Sequence, residues 1–164
     1  MTGGEAGGLG ADAGAADQDA GGEAGTASGG DGRERARGPT VRLRPLAGAY
    51  AVSRLAADAP FPAWADGAGF VSVSRTSAEL SVVCLATRVP AGVRSDDGWR
   101  CLELCGPFAF DETGIVASVV APLSAGGLGV FVVSTFDGDH LMVKAESFDR
   151  AWALLLAAGH GVAD

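Results

Sequence analysis

Beyond residue 40 the chain is patterned. From Leu46 to Leu55, Tyr50, Val52 and Arg54 alternate against Ala49, Ala51 and Ser53, which predicts a strand. Pro60 and Pro62 open a short turn or helix over Ala63, Trp64 and Ala65, closed by Gly67. Phe70 to Arg75 alternates again, and Leu80 to Thr87 is nearly continuous apolar sequence. The four residues between them, Thr76 to Glu79, make this pair a hairpin. Pro90 to Gly98 reads as a polar loop, and Trp99 to Phe110 as a strand with Cys101, Glu103 and Cys105 facing away from Leu102 and Leu104.

The period then changes. Val116, Val119, Val120 and Leu123 lie on one helical face. Asp111 or Thr113 is positioned to cap that helix, Gly126-Gly127 to end it, and Pro122 to kink it. Leu128 to Thr135 is a β-branched strand. Asp137-Gly138 suits a type I′ turn into a strand over Asp139 to Lys144. Phe148, Ala151, Trp152 and Leu155 repeat the helical face, stopped at Gly159.

From Trp99 the order is β-α-β-β-α, one strand short of a ferredoxin-like βαββαβ unit. The segment from 46 to 87 is a degenerate version: strand, short helix, strand, strand. The expected fold class is α+β, with two ferredoxin-like (βαββαβ) subdomains forming a pseudo-repeat whose first half is degenerate. The expected organisation is a tail over 1–39, an N-terminal half over 40–97 and a C-terminal half over 98–164. The missing last strand would come from Val41–Leu43 or from the other half.

Composition separates the tail from the rest. Residues 1–39 hold 13 of the 26 glycines and a single large aliphatic residue other than Met1, Leu9. Such a Gly/Ala-rich acidic segment has too little apolar area to offset about 1–2 kcal/mol of backbone entropy per residue, so disorder is expected. Across all 164 residues, 12 Lys+Arg stand against 20 Asp+Glu, a formal net charge of −8. That balance argues against nucleic acid, whose phosphates require clustered cations. No apolar run reaches the roughly 18–20 residues of a membrane span, and no signal peptide is visible, so a cytoplasmic protein is expected. Cys84, Cys101 and Cys105 read as reduced thiols. Cys101 and Cys105 share a strand face about 13 Å apart, too far for a disulfide within a straight strand. His140 and His160 have no nucleophile at a recognisable spacing. No catalytic, metal or cofactor constellation is expected.

Several pieces carry a resemblance. They are Thr113-Gly114-Ile115-Val116, Ala121-Pro122-Leu123, Ser134-Thr135-Phe136-Asp137 and Leu141-Met142-Val143-Lys144. Upstream, Ala63-Trp64, Glu79 to Cys84 and Gly98-Trp99-Arg100 add to them. In this order and spacing, from about Arg44 to His160, the chain resembles ACT domains. More narrowly, it is similar to small bacterial tandem-ACT proteins related to aspartate kinase regulatory domains and CASTOR-type arginine sensors. The resemblance implies a non-catalytic module that binds an amino acid between paired domains. It implies a ligand set of Asp111, Thr113, Gly114 and Ile115 from the first strand-to-helix loop, with Val130, Phe131, Ser134, Thr135 and Asp137 from the facing strand. It also implies a homodimer and a protein readout partner whose identity the sequence does not give.

The chemistry suits that reading. A helix N-terminus offers free N–H groups to a carboxylate, and Gly114 allows close approach. Asp137 and Asp139 are placed to pair with an ammonium or guanidinium group, and the acid at Asp137 favours a cationic amino acid. A ligand of about ten heavy atoms at about 0.5 kcal/mol each would bind near 0.1 mM. The alternative is a ligand-free structural or protein-interaction module on the same fold.

Overall fold

The computed structural model describes residues 38–163, so the tail expected over 1–39 lies, save for its last two residues, outside the described residues. Eight strands and two helices follow in order: β1 Arg42–Pro45, β2 Tyr50–Leu55, β3 Ser72–Arg75, β4 Leu80–Leu85, β5 Arg94–Cys105, α1 Ile115–Ala125, β6 Val130–Ser134, β7 Asp139–Lys144, α2 Phe148–Ala157 and β8 Gly161–Val162. Three single 3-10 turns, at Ala63–Ala65, Ala86–Arg88 and Ala145–Ser147, lie between them.

All strands join one sheet around β5, which is 12 residues long. Its first half pairs with β2, and β4 and β3 follow outward. Its second half pairs with β7 on one edge and β1 on the other, and β6 lies outside β7. Each half therefore repeats the ferredoxin-like order, with β5 serving as last strand of the first unit and first strand of the second. This is the α+β pseudo-repeat the sequence predicts, with the first half degenerate. The helical part of its crossovers shrinks to the three-residue turns at Ala63–Ala65 and Ala86–Arg88, whereas α1 and α2 are full helices.

The missing last strand is supplied from the N-terminal side. Residues Arg42 to Pro45 pair antiparallel with Cys105 to Leu102, in the position a fourth strand would take. The short β8 is displaced outward and pairs parallel with β1.

Several local expectations need correction. The strand expected over 46–55 begins only at Tyr50, and a separate strand, β1, precedes it. Residues from Arg94 belong to β5 rather than to a loop, because their backbone pairs with β2 although their side chains are polar. That strand stops at Cys105 instead of Phe110, where Gly106 and cis Pro107 interrupt it. The turn after β6 is not type I′, because that type needs a positive φ at Gly138 and Gly138 is not among the glycines that have one. Glycine serves close approach there instead: a Cβ on Gly138 would meet the Leu104 carbonyl at 2.9 Å, and one on Gly106 would collide with the Asp137 carbonyl.

The main core lies between the helices and the sheet. Leu102, Leu104, Leu141 and Val143 from the sheet meet Val119, Leu123, Ala151 and Leu155 from the helices. A second cluster on the opposite, helix-free face joins both units through Tyr50, Val83, Cys101 and Met142. The third, around Leu80, Val82, Cys84 and Ala65, belongs to the first unit. Trp64, Trp99 and Trp152 pack, partly buried, against these three clusters. The three cysteines are free thiols. Burial pushes the Cys101 thiol up to about 12, with the nearby Glu103 carboxylate adding to the shift.

Pro122 does not end α1. Proline has no N–H, so the Ser118 carbonyl four residues earlier loses its helical partner. The buried His160 stands in: its Nε2 lies 3.1 Å from that carbonyl, while its Nδ1 accepts the Val41 N–H at 3.2 Å. These two partners together select the neutral tautomer protonated on Nε2. One imidazole thus ties β1, α1 and the C-terminal segment together.

Candidate functional site

The end of the second unit where β5 turns into α1 and β6 turns into β7 holds an open cavity of about 350 Å³. One wall is the first turn of α1. Its N-cap is Gly114, in the left-handed region at φ 86°, and no side chain caps the helix, so the Asp111 and Thr113 expectation is corrected. The first intrahelical bond of this turn runs from Ser118 N–H to the Gly114 carbonyl at 2.8 Å. The N–H groups of Ile115, Val116 and Ala117 therefore have no intrahelical partner, and all three residues line the cavity. Gly114 suits the conformation, and a Cβ there would also press on Pro39 at 3.3 Å.

The opposite wall is the Ser134–Asp139 turn. Asp139 is only 8% exposed, lines the cavity, and accepts a hydrogen bond from the Ser134 hydroxyl. Alternation explains its direction. Asp139, Leu141 and Val143 occupy one face of β7, and the two hydrophobic members lie in the core beneath the helices. Glu112 adds a second carboxylate to the lining. At the cavity edge Phe110 and Phe136 meet edge to face, centroids 5.1 Å apart, and remain 81% and 76% exposed.

Of the nine residues the resemblance implied, the cavity gathers Gly114, Ile115, Ser134 and Thr135. Asp111 and Thr113 are exposed and do not line it. Val130 shares the helix-side face but sits four residues from Ser134, about 13 Å along the strand. Phe131 faces the other side, near Trp99 at 6.4 Å between centroids. Asp137 lines a different cavity on the helix-free face. The implied set lacks Phe108, Phe110, Glu112, Phe136 and Asp139 from the lining. The sequence already offers Asp139 as a partner for an ammonium group, and the residue is in phase with the apolar positions 141 and 143 of its own strand.

The helix-free face holds two further cavities, of about 440 and about 480 Å³, and both are lined by Glu103 and His140. Glu103 accepts a hydrogen bond from Arg44 Nη1 at 3.1 Å. His140 stacks on Phe70, centroids 3.8 Å apart and planes 14° from parallel, and its Nδ1 is buried with no hydrogen-bond partner. Burial lowers its pKa against the opposing pull of Glu103 and Asp139. Among the described residues no cluster of His, Cys, Asp and Glu is arranged to hold a metal, and no helix is long and apolar enough to cross a membrane.

Comparison with known proteins agrees with this architecture. Residues 94–157 match the family model of the ACT domain, and residues 48–92 match a model described as an N-terminal domain. A crystallographically solved protein of Agobacterium tumefaciens is 55% identical, superposes with a TM-score of 0.73, and is matched over 76% of this chain and 93% of its own. The human cytosolic arginine sensor for mTORC1 subunit 1 is 34% identical over 70 residues, 42% of this chain. The chain matches about a fifth of that relative's length, 21%. Aspartate kinase of Clostridium acetobutylicum shares the fold at 11% identity and a TM-score of 0.54, over 73% of this chain and 35% of its own. With its ferredoxin-like order and this family match, the second unit, over residues 94–157, is an ACT domain.

Proposed function

We propose that this chain is a non-catalytic regulatory module that binds a free amino acid in the cavity between α1 and the Ser134–Asp139 turn. One observation carries the reading: the uncapped first turn of α1 and the buried Asp139 line a single cavity. A free α-amino acid presents the complementary pair, a carboxylate for the amides and an ammonium for the acid. Glu112 near the mouth favours a cationic side chain. The names of the relatives, an arginine sensor and aspartate kinases, support the ligand class and the regulatory role. The cavity is open where Phe110 and Phe136 stand, and a second copy of the chain would cover them and close it. Ligand binding would then favour the paired arrangement, read out by a protein partner in the cytoplasm.

The test is thermal unfolding of the full chain against each of the twenty amino acids at millimolar concentration. A ligand at about 100 times its dissociation constant adds about 2.7 kcal/mol, a shift of several degrees. One or two selective shifts, lost in Asp139→Asn, are expected. A folded protein that responds to none would overturn the reading. The exposed Phe110–Phe136 pair favours one second reading, a ligand-free interaction module. It would show as a stable complex indifferent to amino acids.

A further inference from the structure

The first cavity leaves unexplained a charged cluster on the opposite face of the sheet. Along β5 the helix-free face runs Trp99, Cys101, Glu103, Cys105, and the first two pack in an apolar cluster with Tyr50 and Met142. A carboxylate follows at the centre of this sheet, beside His140 in the β5–β7 register and Arg44 in the β1–β5 register. Polar groups on a half-buried apolar face are the informative exceptions to burial patterns. Here two cavities of about 440 and about 480 Å³ share Glu103 and His140.

The two differ in character. The first is polar, with Arg44, Glu103, Asp137 and Thr135 among its lining. The second is walled by Leu46, Tyr50, Phe70 and Leu85. Its aromatic wall is fixed, because the Tyr50 hydroxyl accepts the Phe70 N–H at 3.2 Å and His140 stacks on the Phe70 ring.

We propose that this face binds a small organic cation, a primary ammonium group seated at Glu103 and Asp137 with an apolar body lying against Phe70 and Leu46. The charge decides the sign. Two carboxylates face one guanidinium, and that guanidinium is already engaged by Glu103 at 3.1 Å. The size decides against a bare ion, since cavities of several hundred Å³ suit a molecule of small-ligand size. The site lies on the opposite face of the sheet from the amino-acid cavity and adjoins it at the turn, where Thr135 and Gly138 line both.

Phenethylamine is the probe, with 3-phenylpropionate as a control of the same body and opposite charge. Titration of the full chain, followed by calorimetry and by the His140 ring resonances, is expected to show saturable binding of the amine and none of the acid. Glu103→Gln should weaken it about tenfold or more, equivalent to about 1.4 kcal/mol. Ala47 is exposed and lines the apolar end, so Ala47→Trp should fill that end and abolish binding without disturbing the core. Asp139→Asn, which removes the carboxylate of the first cavity, should leave amine binding as it is. Absence of saturation in the parent, equal binding of the acid, or retention in both Glu103→Gln and Ala47→Trp would overturn the proposal. Loss in Asp139→Asn alone would place the amine in the first cavity and overturn it equally.

Discussion

The two halves of the molecule use one strand order and differ in what covers it. In the first unit the crossovers contain only single three-residue turns; in the second they carry helices of 11 and 10 residues. Pro60, Pro62, Gly67 and Gly69 fall between β2 and β3, where they break any helical run. The sheet forms regardless, so strand pairing alone maintains the ferredoxin-like order. A helix adds two things: a second layer of core, and an N-terminus whose free amides can meet a ligand. The first unit has only the Ala63–Ala65 turn over its core, and no helix N-terminus.

The largest test of that contrast is in the cores. Leu102 and Leu80 are both fully buried, but Leu102 lies under two helices and Leu80 beneath a single turn. Both alanine variants should fall within the roughly 2–5 kcal/mol range of Leu→Ala substitutions, with Leu102→Ala near the top and Leu80→Ala near the bottom. Denaturant midpoints measure this. Equal losses would mean the helical layer adds nothing to the local packing.

Next is the link that closes the second unit. His160→Ala removes the partners of the Val41 N–H and the Ser118 carbonyl and should cost about 2 kcal/mol. Pro122→Ala restores an N–H to the helix, giving Ser118 an intrahelical partner. In that background His160→Ala should cost less, with a coupling of about 0.5–1 kcal/mol. Strict additivity would show that His160 does not substitute for the missing helical bond.

These two tests divide along what sequence reveals. The helical face at 116, 119, 120 and 123 and the alternation in 80–85 and 99–105 encode the second layer and the strand pairing directly. Residues 94–98 hide their strand because backbone pairing does not require apolar side chains, and Arg94 to Asp97 are exposed. The role of His160 is also hidden: it depends on a proline 38 positions away, and nothing local marks either residue as the other's partner. The site was half legible. Gly114, Ile115, Ser134 and Thr135 follow from the loop-and-strand resemblance. The period of two shows that Phe131 and Ser134 cannot share a face and that Asp139 can join the site. The aromatic pair of Phe110 and Phe136 comes from two loops whose approach depends on Gly106 and Gly138, contacts that no local pattern predicts.

A smaller effect is expected at the start of α1, where the second unit gains its site. Gly114 holds a left-handed conformation at φ 86°. Gly114→Ala should cost about 1–2 kcal/mol in stability and disturb the first turn of α1 that lines the cavity. Thermal unfolding with and without amino acids separates the two consequences. A variant of parental stability that keeps its ligand response would show that glycine at this position serves neither.

The smallest effect tests the contact between the units. Phe70 precedes β3 in the first unit and stacks on His140 of the second. Burial lowers the His140 pKa in the folded state below its ordinary value of 6.5, against the opposing pull of Glu103 and Asp139. The unfolded chain therefore takes up a proton more readily than the folded one. The stability linked to His140 is complete above its unfolded pKa and is lost as pH falls through 6.5 toward the lower folded value. Melting the parent and His140→Gln at about pH 7.5 and about pH 5.5 isolates this term, since histidine alone among unperturbed side chains changes charge in that window. The parent should lose more stability on acidification than the variant. Equal losses would mean that the ring is no harder to protonate when stacked on Phe70, and that the two units meet there without an electrostatic cost.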